Sequence, residues 1–174
     1  LEIVSQDSAE AKPVNTINGY RSLVTSGVHY ILGPNWTASG LALAPVASED
    51  KGKIIITSPS LGVAAFNEAS ENIFNIWPHD DLGSRALAHY AYEHGNRKIA
   101  IFSTQEAWYH EQAVAFEDEF KKLGGSIVLH ENQESSNKDM RTIALKIKAA
   151  NPDATLYTNY DNMGLMSKAL KDLG

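Results

Sequence analysis

Two short apolar runs joined through a helical pattern, within Val28–Ser60, constrain this chain more than any other feature. Val28-His29-Tyr30-Ile31-Leu32 reads as a strand, and Gly33-Pro34 ends it. Asn35-Trp36-Thr37-Ala38-Ser39 is a polar loop carrying one large aromatic. A helical pattern follows from about Ser39 to Glu49. Lys53-Ile54-Ile55-Ile56-Thr57 is a second apolar run, ending in Ser58-Pro59-Ser60. Strand, helix and strand in this order make a parallel βαβ unit, because parallel neighbours need a crossover long enough to bring the chain back. Two strands expected to be buried therefore finish in hydroxyl-bearing loops on one edge of a sheet. In open α/β sheets, small ligands collect at the carboxyl ends of the strands.

The same alternation fills the rest of the chain. Leu1–Gln6 alternates apolar and polar residues and predicts a strand. Behind Pro13, the residues Val14, Ile17, Tyr20 and Val24 keep helical spacing up to Gly27. Pro45 predicts a kink or a late start in the Ser39–Glu49 helix. Residues 61–72 read as a mixed loop, Ile73–Trp77 as a strand closed by Pro78, and Leu82–Glu93 as a helix entered through His79-Asp80-Asp81. Strands are then expected at Lys98–Phe102, Ser126–His130 and Ala154–Thr158. Helices are expected at Tyr109–Leu123, Met140–Ala149 (capped by Asp139) and Asn162–Leu173. The fold class is α/β with parallel sheets. The rhythm breaks once, between Phe74 and Asp81. That break predicts an N-terminal lobe over 1–78 and a C-terminal lobe over 79–174, with Trp77, Pro78 and His79 at the hinge.

Composition removes several classes of function. A net charge of −6 argues against a nucleic-acid partner, which needs a basic face. The chain has no cysteine, so thiol nucleophiles and cysteine metal sites are ruled out. No apolar run approaches the roughly 20 residues of a membrane-spanning helix. His89, His94 and His110 do not form a metal set, since His89 and His94 fall on different faces of a helix. Glu117, Asp118 and Glu119 with Lys121 and Lys122 read as a solvated helix face. The chain has no nucleophile elbow, no Walker loop and no glycine-rich dinucleotide fingerprint. We therefore expect no catalysis, no cofactor and no metal.

The order of these pieces resembles the type I periplasmic binding fold, specifically the solute-binding proteins of branched-chain amino acid ABC transporters. The matching segments are Gly33-Pro34-Asn35-Trp36-Thr37, Ala44-Pro45-Val46-Ala47, Ile56-Thr57-Ser58-Pro59-Ser60 and the crossover Phe74–Leu82. In the second lobe they are Arg97–Ile101, Gly124-Gly125, Asp139 before a helix and Pro152-Asp153 before a strand. The resemblance implies two Rossmann-like, flavodoxin-like lobes that close about a hinge on a small ligand, an amino acid or related small carboxylate. It also implies a membrane ABC permease as partner and a periplasmic or extracellular location, with a lipid anchor as one form of attachment. The family fold includes a central strand before the segment matching Leu1 and further strands after the one matching Gly174. The chain is accordingly expected to be a fragment.

By position, Thr37 falls on the family's carboxylate-binding serine, and Ser60, with Ser58 as the alternative, falls in the second hydroxyl loop. Trp108 falls on a ligand-facing aromatic and Tyr160 on a ligand-facing tyrosine. Two departures stand out: Trp36 replaces a small residue, and Leu61-Gly62 replaces a hydroxyl. Each site residue also has a structural reading. Thr37 makes a good helix cap, and Ser58 and Ser60 suit a turn beside Pro59. Trp36 lines a cleft or packs at the surface. Trp108 and Tyr109 stand between a strand end and a helix start, where aromatics with a polar handle suit a half-wet site. Asp161 either faces ligand or caps the last helix. A receptor or transcription-regulator sensor domain of the same fold is the alternative function, and an enzyme on a flavodoxin-like sheet is a more distant one.

Overall fold

The alternation of strands and helices resolves into two separate parallel sheets. The computed structural model describes residues 2–9, 12–50, 52–160 and 162–174, and its chain divides into the units Leu1–Asp80 and Asp81–Gly174.

The first unit runs α1 (Pro13–Thr25), β1 (Tyr30–Leu32), α2 (Thr37–Ser48), β2 (Ile55–Ser58), α3 (Ala64–Asn67) and β3 (Ile73–Asn75). Its sheet has the order β1-β2-β3, with Ile31 beside Ile56 and Ile56 beside Ile73. These three side chains share one face and meet Tyr20, Leu43, Ala44, Ala47, Leu61 and Phe66 in a single core. The opposite face is open, with Tyr30, Leu32 and Phe74 exposed. The strands expected to be buried are thus buried on one side only.

The second unit runs α4 (Asp80–Glu93, beginning on the last residue of the first unit), β4 (Lys98–Thr104), α5 (Ala107–Lys122), β5 (Ser126–Gln133), α6 (Met140–Ala150), β6 (Ala154–Thr158) and α7 (Met163–Leu173). Its order is β5-β4-β6, all parallel. The β4 residues divide cleanly by parity. Ile99 and Ile101 pack with Ala88, Ala113, Phe116 and Phe120 of α4 and α5. Ala100 and Phe102 pack with Met140, Ile143, Ile147 and Met166 of α6 and α7. Helices cover both faces, which is why β4 is buried from Ile99 to Thr104.

Several expectations are corrected. Residues 2–8 form no strand, and Ile3 and Val4 are exposed. Alternation marks a strand only where a neighbour supplies the other half of the ladder, and these residues pair with no described strand. The mixed loop at 61–72 contains α3. Helix α2 begins at Thr37, ahead of the expected Ser39, and continues through Pro45 to Ser48. Strands β1 and β3 are three residues each, shorter than their apolar runs, while β4 and β5 extend to Thr104 and Gln133. Asp139 caps α6 as expected, its carboxylate accepting from the Thr142 N–H at 3.2 Å.

Candidate functional site

In the first unit, the loops after β1 and β2 are tied to each other. The Ser58 hydroxyl donates to the Pro34 carbonyl at 2.7 Å and accepts from the Leu61 N–H at 3.0 Å. The residue is fully buried, and these bonds engage its hydroxyl within the fold, as its reading as a turn residue beside Pro59 expects. Ser60 is exposed and its hydroxyl donates to the Asn35 carbonyl at 3.1 Å. Gly33, at φ +125°, takes a backbone conformation that favours glycine. Its N–H donates to the Thr57 carbonyl at 2.9 Å and fixes where the loop starts.

Thr37 is the first residue of α2 and is buried. Trp36 occupies the N-cap, and its side chain makes no cap bond. The reading of Thr37 as a cap is therefore corrected by one residue. The first intrahelical bond runs from the Gly40 N–H to the Trp36 carbonyl at 2.9 Å. Helix geometry leaves the N–H groups of Thr37, Ala38 and Ser39 ahead of it without intrahelical partners, at the positive end of the helix dipole. Ser39 is held from behind by the buried Thr16 hydroxyl at 2.9 Å. Trp36 is 58% exposed beside this turn. A cavity of about 220 Å³ opens between Gln6–Ser8, α1, β1 and Gly33–Trp36; it is lined by Trp36 and by neither Thr37 nor Ser60.

In the second unit, strand order singles out two loops. The chain leaves β4 for β5 on one side and returns to β6 on the other, so the sheet has a topological switch point between β4 and β6. Sheets of this order bind ligands outside the carboxyl ends of the strands at that point. The loop and helix start after β4 carry Trp108 and Tyr109, whose rings meet edge-on at 4.9 Å between centroids. The loop after β6 carries Tyr160. Trp108 is 40% and Tyr160 76% exposed. Asp161 lies outside the described residues. The N-cap of α7 is Asn162, and the Asn159 side-chain oxygen accepts its N–H at 2.7 Å.

Sequence reasoning missed a polar chain beneath these loops. Ser103 Oγ lies 2.9 Å from His130 Nε2, and His130 Nδ1 lies 3.0 Å from Glu117 Oε2. Serine, histidine and glutamate in this order match the connectivity of a nucleophile triad. The Ser103 hydroxyl is fully buried within the sheet, however, so the chain fastens β4, β5 and α5 together. In register with Ser103 on either side lie Asn132 and Thr158, whose Oδ1 and Oγ1 are buried with no hydrogen-bond partner among the described residues. Burial pushes the Glu117 carboxyl up, but bonds from Lys121 and His130 outweigh it and hold the group below the ordinary carboxylate range. Glu119 joins Arg85, His89 and Lys122. Of the face expected to be solvated, Asp118, Lys121 and Lys122 are exposed, whereas Glu117 and Glu119 fasten α5 to β5 and α4. The signal was present as acid and base at matching heights, but helix spacing alone does not reveal which partner strand they meet.

Of the residues expected at the hinge, Trp77 and His79 bond to residues of the first unit. The Trp77 indole N–H donates to Asp80 Oδ1 at 3.0 Å, and the Asp80 N–H donates to the Gly62 carbonyl at 2.9 Å. A Cβ on Gly62 would meet the Asp80 carboxylate at 2.1 Å, so a larger residue here requires the Asp80 side chain to move. His79 Nε2 lies 3.1 Å from Asn67 Oδ1, and Pro78 is exposed. No group of three or more His, Asp or Glu suited to a metal ion occurs among the described residues.

The fold and its loops define a class: α/β proteins whose parallel strands end in polar and aromatic loops. Comparison makes this specific. The family model described as periplasmic binding protein matches residues 1–174. A solute-binding protein of an ABC transporter from Rhodopseudomonas palustris BisB5, in complex with 3,4-dihydroxybenzoic acid, superposes with a TM-score of 0.81 at 26% identity, over 99% of this chain and 47% of that one. Another from R. palustris, in complex with 4-hydroxybenzoate, gives 0.82 at 23% over 98% and 47%. The leucine-binding protein LivK of Thermotoga maritima gives 0.83 at 22% over 99% and 49%. The chain spans about half the length of these relatives. A search of curated protein sequences gives no significant match. The chain belongs to the periplasmic binding protein family.

Proposed function

We propose that the chain is part of an extracytoplasmic solute-binding protein of an ABC transporter, and that it captures an amino acid or related small carboxylate between its two units by hinge closure. One observation carries this reading: the first turn of α2, where Thr37 and three amides without intrahelical partners gather at the carboxyl end of β1. A carboxylate suits that end of a helix on both charge and hydrogen bonding. Trp36 and Ser60 stand beside it. Trp108, Tyr109 and Tyr160, at the switch point of the second sheet, supply surfaces for the rest of the solute. Leucine and the hydroxybenzoates held by the relatives share a carboxylate and differ in everything else, which fits one constant and one variable half of the site.

The protein does no chemistry on the solute in this reading. Contacts made only in the closed form shift the population of open and closed states. A membrane permease then receives the closed form, in the periplasm or at an outer cell surface. A thermal-shift screen of the full-length protein is the test. Amino acids and aromatic acids, among them L-leucine, 4-hydroxybenzoate and 3,4-dihydroxybenzoate, are compared with sugars and nucleobases. A solute at about 100 times its Kd stabilises the native state by about 2.7 kcal/mol. We expect at least one carboxylate to raise the melting temperature. A sugar or nucleobase doing so while every carboxylate fails contradicts the reading.

A further inference from the structure

We propose that Lys138 and Asn162 form a clasp that aims Tyr160, so that the loop between β5 and α6 belongs to the binding machinery as a positioning element. The inference rests on the reading of Tyr160 as a ligand contact. Tyr160 is 76% exposed, so packing around its ring does not hold it, and its placement depends on the loop that carries it. Asn159 and Asn162, on either side in sequence, are both fastened. On one side, Asn159 Oδ1 accepts the Asn162 N–H at 2.7 Å. On the other, the Asn162 side chain is fully buried and spends both amide protons on the neighbouring loop, donating to the Ser135 and Asn137 carbonyls at 3.1 Å each. Its oxygen accepts from the Lys138 ammonium at 2.8 Å, and Lys138 donates as well to the Ser135 carbonyl at 3.1 Å.

A carboxamide has two donors and one acceptor oxygen, and here all are engaged by one loop. The bond from the ammonium is charge-assisted and outweighs a neutral one. The loop that receives these bonds is itself braced. Asn137 donates to the Gln133 side chain at 2.9 Å and accepts the Asp139 N–H at 2.9 Å, and Asp139 caps α6. The anchor chain therefore runs from the rigid start of α6 through Lys138 and Asn162 to Tyr160. With the clasp intact, the loop that carries Tyr160 is held in place before the solute arrives; without it, binding must order that loop.

The test titrates the full-length protein calorimetrically with 4-hydroxybenzoate and with L-leucine, using wild type, Lys138→Met, Tyr160→Ala and the pair combined. Lys138 is exposed, but its loss leaves the buried Asn162 oxygen without this donor, so far-UV circular dichroism and a denaturation midpoint first establish that Lys138→Met is folded under the titration conditions. Lys138→Met is expected to weaken binding by about 2- to 10-fold, the ordering of one side chain transferred into the binding step. In the Tyr160→Ala background it is expected to add nothing, because its effect passes through that ring. An equal loss in both backgrounds overturns the clasp. So does no loss from Lys138→Met where Tyr160→Ala does weaken binding. If Tyr160→Ala leaves affinity intact, or neither probe binds, the fault lies with the ligand reading, and amide hydrogen exchange then judges the clasp alone. The Asn162 N–H is expected to exchange faster in Lys138→Met, and unchanged protection overturns the proposal.

Discussion

At the scale of single residues, the two serines flanking Pro59 separate cleanly. Ser58 Oγ is buried between the Pro34 carbonyl and the Leu61 N–H. Its replacement by alanine leaves both groups unpaired and is expected to cost about 1–3 kcal/mol in urea denaturation. Ser60→Ala is expected to change stability little and to weaken carboxylate binding. Ligand affinity that depends on Ser58 in a variant of unchanged stability would contradict this division. Gly62→Ala is a sharper case, since the new Cβ falls 2.1 Å from Asp80 Oδ2. We expect a loss of about 1–3 kcal/mol from the forced shift, part of it recovered by adding Asp80→Ala. No recovery in the double variant would show that the clash lies elsewhere. The sequence marks a hydroxyl loop here, but not which hydroxyl turns inward. Pro59 interrupts the alternation that would otherwise assign the sides, and the approach of Asp80 comes from a segment 18 residues later.

At the scale of elements, α5 shows how a helix is held by more than its apolar stripe. Ala113, Phe116 and Phe120 were legible as its inward face, and they do pack on Ile99 and Ile101. Its bond to β5 through Glu117 and His130 was not legible, because it depends on a register across 13 residues and a turn. Glu117 has its pKa lowered in the folded state. It therefore contributes stability above the ordinary carboxylate value, and that contribution is lost as pH falls through the depressed folded value. Denaturation midpoints measured from pH 7 downward are expected to drop below about pH 4.5, and Glu117→Gln to flatten the drop. A variant as acid-sensitive as wild type would mean that other carboxylates carry the effect. Within this unit β6 was readable to the residue. Strands β1 and β3 in the first unit shrank because an apolar run pairs only as far as its neighbour does.

At the scale of the molecule, parallel βαβ units and two α/β divisions follow from the alternation of apolar runs and helical stretches. The open face of the first sheet does not follow, since burial on the far side depends on what else packs there. The aromatics at the second sheet's switch point were legible as loop residues after strands. That their loops follow the two adjacent strands of one switch point is apparent only from the order β5-β4-β6, which no local pattern encodes. The proposed function requires both units to act on one solute. Small-angle scattering of the full-length protein, with and without a carboxylate that calorimetry shows to bind, tests this most directly. The account predicts a smaller radius of gyration on saturation; a saturated protein whose scattering is unchanged would contradict it.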